Sequence, residues 1–272
     1  MEQNQTTRGA MWLRLLTGDA AQLHDWPSVR VCEAPLAGQP ARWIAVVPDP
    51  GNRFPRARNG EVGLVEGWQL ARAVQETVEL DRDAAVKRPI VAVIDVPSQA
   101  YGRREEAFGI HQALAGAAGA YAQARLAGHP VIGLVVGLAM SGAFLAHGYQ
   151  ANRLIALDDP GVMVHAMGKA SAARVTLRTV EALEQLAQKV PPMAYDIKSY
   201  ASLGIVSQVL QLANLALPGK QDLALVQGAL EAALAGILED SERGLASRLQ
   251  GQHRQASRRV RALLEQEWEA AD

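Results

Sequence analysis

The chain carries a single cysteine, Cys32, among its 272 residues. That excludes a disulfide framework or a Cys-based metal cluster within the chain. Its six histidines are scattered, with no HxxxH or HxH pair, so catalysis by a His-held metal is not expected. Charge is sparse and balanced: 20% of residues are charged, and 27 Lys and Arg against 28 Asp and Glu leave a net −1. No global field exists to draw nucleic acid or an anionic membrane. The opening MEQNQTTRGA is polar and has no apolar stretch of the signal-peptide kind. No charge-free apolar run reaches about 18 residues, so a soluble, cytoplasmic protein is the default expectation. Internal repeats and low-complexity linkers are also missing.

What is present is apolar and ordered. Hydrophobic residues make up 49% of the chain, enough for a full core, and the length fits one large α/β domain or two small ones. Residues 1–10 read as a tail and 1–25 as a lead-in; 26–48 read as short strands and 48–60 as a Pro-, Gly- and Arg-rich loop. Apolar spacing predicts helices over 63–80, 105–127, 142–149, 170–190, 221–236 and about 241–270. Strands are predicted at 89–96, 131–136, 152–157, 161–165 and 203–210. PIVAVIDV (89–96) is apolar and β-branched throughout, the mark of a strand buried on both faces. Alternating strands and helices imply a largely parallel sheet, with a main domain over 26–236 and a helical extension over 237–272. Gly116 and Gly119 inside the second helix each cost about 1 kcal/mol against Ala, which points to close packing against a neighbour.

The chemistry concentrates at VIGLVVGLAMSGAFLAHG (131–148). An apolar strand runs to Gly137, read as a tight-turn glycine, and a small-residue turn then opens a helix. The first N–H groups of a helix lack intrahelical partners and lie at its positive end. Donors aimed at developing negative charge are worth about 2.7–4 kcal/mol each. The competing reading is a small-residue turn needed only for strand-to-helix packing. Ala139-x-Ser141-x-Ala143 also resembles a nucleophile elbow with both glycines replaced, with His165 as base and Asp158 or Asp159 as acid. A second loop, PSQAYGRREE (97–106), leaves a buried strand at the end where α/β proteins place ligands. Gln99, Tyr101, Arg103 and Arg104 could contact substrate there; alternatively Glu105 and Glu106 merely favour a helix start.

Several short matches in the right order resemble the acyl-CoA carboxyltransferases of the crotonase superfamily. They are Asp95-Val96-Pro97, Glu106-x-x-Gly109-Ile110, the long Ala/Gly helix, the 131–143 strand and turn, and Val164-His165-Ala166-Met167-Gly168-Lys169-Ala170, similar to an "MGAKGA" segment. They span roughly 40–210. DVPSQAYGRREE, GLAMSGAFLAHG and VMVHAMGKASAARVT are most similar to the gamma subunits of biotin-independent malonate decarboxylases. The resemblance implies a crotonase/ClpP-like ββα-superhelix, a carboxyltransferase half-domain with a helical C-terminal extension. It implies a beta subunit as partner, an acyl carrier protein, and an acyl-carrier transferase subunit. The substrate would be malonyl thioester on a phosphoribosyl-dephospho-CoA arm delivered by the carrier, with no cofactor held by this chain. Its oxyanion hole would be the N–H groups of Ser141, Gly142 and Ala143. Substrate would meet Gln99, Ala100, Tyr101, Gly102, Gly137, Met140 and His165. Tyr101, His165 or water would protonate the product.

Two departures bear on biotin. Ser141-Gly142 stands where biotin-dependent relatives have Gly-Gly, and the Pro97 loop has no Gly-Phe-Leu. The rival readings are a biotin-linked malonyl-thioester carboxyltransferase subunit and a Clp-like serine hydrolase using Ser141 and His165. For the hydrolase, Gly142-Ala143-Phe144 puts the nucleophile position at Met140, one residue early. A further reading is a half that completes a partner's site. In the last helix, Leu245, Leu249, Ala256, Val260, Leu263 and Trp268 form a stripe expected to bury against a partner or the chain's own core. Arg254, Arg258, Arg259 and Arg261 suit either an acidic carrier or a solvated face balanced by Glu265, Glu267 and Glu269; Arg53, Arg56 and Arg58 carry the same ambiguity.

Overall fold

The computed structural model describes residues 7–270. In chain order the elements begin with α1 (Arg8–Thr17), the hairpin β1 (Val29–Leu36) and β2 (Gln39–Val46), α2 (Leu64–Leu80) and β3 (Ile90–Val96). They continue with α3 (Arg103–Ala107), α4 (Ile110–Leu126), β4 (Val131–Met140), α5 (Ser141–Ala146), β5 (Arg153–Leu157) and β6 (Met163–His165). The remainder is α6 (Lys169–Val175), α7 (Val180–Ala187), α8 (Ile197–Ala201), β7 (Gln208–Leu210), α9 (Lys220–Glu239) and α10 (Gln255–Glu269). The sheet runs β1-β2-β3-β4-β5-β7, parallel except for the β1–β2 hairpin. Ala37 and Gly38 both have positive φ in the hairpin's two-residue turn, the backbone twist such turns require.

β4 forks. Its first half pairs with β5, and Leu138–Met140 pairs with β6. Opposite the fork, the β3–β4 register shifts between Ile94 and Val96. Asp95 faces this irregularity; its carboxylate accepts the Leu138 N–H at 3.0 Å and the Gly9 N–H of α1 at 3.0 Å. A Cβ on Gly137 would overlap that carboxylate. Gly137 is therefore not the expected turn glycine. It lies inside β4, which continues to Met140 instead of stopping at 136, and its role is to admit Asp95.

α2 and α4 pack directly on one another. A Cβ on Gly67 would lie 2.8 Å from the Ala113 carbonyl, and one on Gly116 would lie 2.9 Å from the Trp68 ring. Gly119 meets nothing within 4 Å, so only Gly116 of the two α4 glycines has the expected packing reason. β3 and β4 are buried almost throughout.

Other expectations change locally. α1 is a capped helix with Trp12, Leu13 and Leu16 buried, so the expected tail over 1–10 ends before Arg8; residues 1–6 lie outside the described ones. The helix over 105–127 breaks at Gly109, which has φ 80. The helix over 170–190 breaks at Leu177, with φ 53, before Thr179 caps α7. The predicted 203–210 strand shrinks to β7. The predicted 241–270 helix becomes a 3-10 turn over Ala246–Gln250 and then α10, because Gly251 abuts the Leu203–Gly204 backbone. None of α10 is buried; Val260, Leu263 and Trp268 stand exposed and not against the chain's own core. By length and hydropathy α9 could cross a membrane; one of its faces, with Val226, Leu230, Leu234 and Ile237, packs in the core.

Candidate active site

The chain turns from β4 into α5 through Ser141, a non-glycine residue at φ 57. Such a conformation costs about 1–3 kcal/mol and persists only where its surroundings hold it. Here the Ser141 hydroxyl donates to the Ala166 carbonyl at 2.7 Å, and Met140 pairs with His165 across β4–β6. The next N–H, that of Gly142, donates to Gln99 Oε1 at 2.6 Å. A Cβ on Gly142 would meet that oxygen at 2.5 Å and Leu114 of α4 at 3.3 Å, so glycine is required for the approach. Ala143 is fully buried.

Gln99 comes from the loop after β3. Its neighbours are fixed: the Ala100 N–H donates to the Val62 carbonyl at 2.8 Å, and the Val62 N–H donates to Ser98 at 3.0 Å. Beside Val62, the Gly63 N–H donates to the buried Glu66 carboxylate at 3.0 Å. The same carboxylate accepts from Ser28 Oγ at 2.6 Å and Asn52 Nδ2 at 2.7 Å. Three segments are thereby tied together under the loop. Sequence reading missed Glu66, although its place at the third position of α2, after Gly63, is a helix-start signal.

His165 stacks on Tyr195, with ring centroids 3.9 Å apart. Its Nδ1 lies 3.0 Å from the Met167 carbonyl, which also accepts from the Tyr195 hydroxyl at 2.8 Å. Burial pushes the His165 imidazole below its usual range, only partly offset by that carbonyl, so it is neutral near neutral pH. No described hydrogen bond joins it to Ser141. Asp158 pairs with Lys198 at 2.9 Å, and Asp159 holds Arg8 and the Gly161 N–H. The serine, histidine and acid of the hydrolase reading are thus engaged separately.

A cavity of about 480 Å³ is lined by Ser141, Gly142, His165, Phe144, Tyr149, Met193, Tyr200 and their neighbours. Of the ten expected site residues, Ser141, Gly142 and His165 line it, and Gln99 touches Gly142. Tyr101 is exposed in the Gln99 loop and Gly102 packs on Glu105. Ala100, Ala143 and Met140 are buried, and Gly137 is taken up by Asp95. Tyr149 and Tyr200 went unread because they reach the cavity only through the fold. Phe144 contacts both tyrosine rings, and burial raises the Tyr200 phenol.

A mostly parallel sheet whose forked central strand ends in a tight elbow, facing a loop from the adjacent strand, is a fold shared with carboxyltransferases. Transcarboxylase 12S has this fold: 78% of the chain aligns with 38% of that protein at 20% identity and TM-score 0.59. The chain belongs to the malonate decarboxylase gamma subunit family, whose profile matches residues 57–268. Over 96% of its length it aligns with all of one chain of a Pseudomonas malonate decarboxylase hetero-tetramer in complex with coenzyme A, at 63% identity and TM-score 0.92. For the Pseudomonas MdcD–MdcE hetero-dimer the coverage is the same, at 62% and 0.89. It is 38% identical over 162 residues to the malonyl-S-ACP:biotin-protein carboxyltransferase MADD of Malonomonas rubra, 58% of this chain and 56% of that one. The chain therefore spans about half the length of that relative.

Proposed function

We propose that this chain forms one wall of a decarboxylase site completed by a beta subunit, and that the site converts a malonyl thioester on an acyl carrier protein to the acetyl thioester. The observation carrying this reading is the strained elbow at Ser141, where the Gly142 N–H already grips a carbonyl-type oxygen at 2.6 Å. Loss of CO2 breaks the bond between the α-carbon and the carboxylate. The electron pair passes through the α-carbon to the thioester oxygen, and preorganised donors beside that oxygen lower the barrier. No side-chain nucleophile enters. The neutral His165 is a poor acid, so the α-carbon takes its proton from Tyr101 or water.

The hetero-dimeric and hetero-tetrameric assemblies of the Pseudomonas relatives support a beta partner, and coenzyme A in one of them suits a CoA-derived carrier arm. The carrier protein, its phosphoribosyl-dephospho-CoA arm, the transferase subunit and a cytoplasmic location belong to the same proposal. The exposed stripe of α10 is a natural partner contact.

The test is a beta–gamma mixture given malonyl carrier without biotin. Release of CO2 and acetyl carrier, insensitive to avidin, is expected. Turnover only with a biotinylated acceptor would replace this reading by the carboxyl transfer named for the Malonomonas relative. Equal rates for the isolated chain would sink the shared site.

A further inference from the structure

We infer that Arg248 is a positioning residue: from the C-terminal extension it holds Tyr149, and with it the aromatic wall of the cavity where the thioester substrate binds. This rests on the decarboxylase reading above and gives a task to a stretch of chain that reading leaves idle.

Besides Ser141 and Gly142 of the elbow, the cavity is lined by Phe144, Tyr149, Tyr200 and Leu203. Phe144 belongs to α5, and both tyrosine rings meet its ring edge-on or tilted. Tyr149 lies beyond α5, and Tyr200 comes from α8. No described hydrogen bond holds either phenol, so the rings depend on the backbone that carries them.

One strap, residues 248–254, grips that backbone on both sides. The Arg248 guanidinium donates through Nη1 to the Tyr149 carbonyl at 2.8 Å and through Nη2 to the Ala151 carbonyl. It also lies over the Tyr149 ring, 5.2 Å from its centre. Further along, Arg254 Nε donates to the Leu203 carbonyl at 2.9 Å and the His253 N–H to the Ser202 carbonyl at 3.3 Å. Between them, a Cβ on Gly251 would lie 2.3 Å from the Leu203 carbonyl carbon. The strap therefore ties the Tyr149 segment to the Tyr200–Leu203 segment.

Arg248 is a costly tie unless the wall must stand in one place. Burial disfavours its charge, and Arg125 and Arg153 oppose it. No described ion pair offsets it; two carbonyl oxygens and the face of Tyr149 answer the cation instead. A planar guanidinium reaches two carbonyls at a fixed spacing, whereas a lysine ammonium is a single point. Arg248 makes no described contact with the elbow itself. Its effect falls on binding, and a loss of binding shared by substrate and transition state raises KM without lowering kcat.

In the beta–gamma complex, Arg248→Met should raise KM for the malonyl carrier about tenfold and leave kcat nearly unchanged. Lower stability alone would not produce that split in assays run well below the melting transition. Tyr149→Leu should raise KM by a similar factor. The double variant should be no worse than either single one, because residues acting as a unit are not additive. An unreactive malonyl-thioester analogue should bind wild type about tenfold more tightly than R248M. If R248M fails to assemble, Arg248→Lys serves; it reaches one carbonyl only and should show the same rise in KM. Wild-type KM in an assembled variant, a loss confined to kcat, or an additive double variant overturns the assignment and leaves the decarboxylase reading intact. If the wild-type complex releases no CO2, that reading falls, and the analogue's affinities still decide the role of Arg248.

Discussion

Alanine at Gly119 and alanine at Gly67 should move stability in opposite directions, although both glycines sit inside helices. Glycine in a helix interior is about 0.8–1 kcal/mol worse than alanine. At Gly119 the added methyl meets nothing within 4 Å, so that gain should appear almost in full. At Gly67 the methyl would stand 2.8 Å from the carbonyl carbon and oxygen of Ala113 and 2.9 Å from its Cβ. Those backbone atoms cannot rotate aside; α2 must slide away from α4. Overpacking of this kind costs about 1–3 kcal/mol, which outweighs the propensity gain and leaves Gly67→Ala destabilised by up to about 2 kcal/mol. Gly116→Ala should fall between, since its obstacle is the half-exposed Trp68 ring, which can yield. Urea titrations should show the midpoint rising for Gly119→Ala and falling for Gly67→Ala at unchanged m, the sign of altered stability without altered compactness. Gly67→Ala as stable as Gly119→Ala would refute the close approach of α2 and α4.

Glu66→Leu should destabilise by about 3 kcal/mol or more, because the donors of Ser28, Asn52 and Gly63 lose their shared acceptor and each unsatisfied buried group costs about 1–3 kcal/mol; a wild-type urea midpoint would contradict this. Ser141→Ala should keep decarboxylation within about tenfold, since it loses one hydrogen bond worth about 1 kcal/mol, and no fluorophosphonate should attach to the wild-type residue; covalent labelling would restore the hydrolase reading. Stability should also fall on acidification. Burial holds His147 down at about 4 from its ordinary 6.5, so between those values the unfolded chain binds a proton that the folded chain refuses. Stability is then fully present above pH 6.5 and is lost at up to about 1.4 kcal/mol per pH unit as pH falls. His129 and His165, also lowered by burial, act in the same sense. Melting temperatures at pH 7, 6 and 5 should decline stepwise; a flat series would show that these imidazoles are not shielded.

The sheet and its order of helices were legible because β3 and β4 are uninterrupted apolar runs, and burial on both faces demands such runs. Helix breaks were not. Leu177 adopts a left-handed backbone that no local sequence signal announces, and α1 opens among polar residues while its buried face lies further on. Gly137 was misread because glycine is chosen both for turning and for close approach, and the letter is the same. The elbow was legible as a small-residue turn, but the Gln99 contact joins residues 43 positions apart. Tyr149 and Tyr200 reach the cavity from separate elements, so no spacing could reveal them.

The two partners of Asp95 lie 86 residues before it and 43 after it in sequence. Its carboxylate cannot be satisfied by any hairpin or helix formed locally. Closing contacts over such separations carries a loop-entropy cost that slows folding. The clamp can close only when α1, β3 and β4 lie side by side. Asp95 thus ties three segments that no local folding unit brings together, and it does so at the fork beneath the elbow.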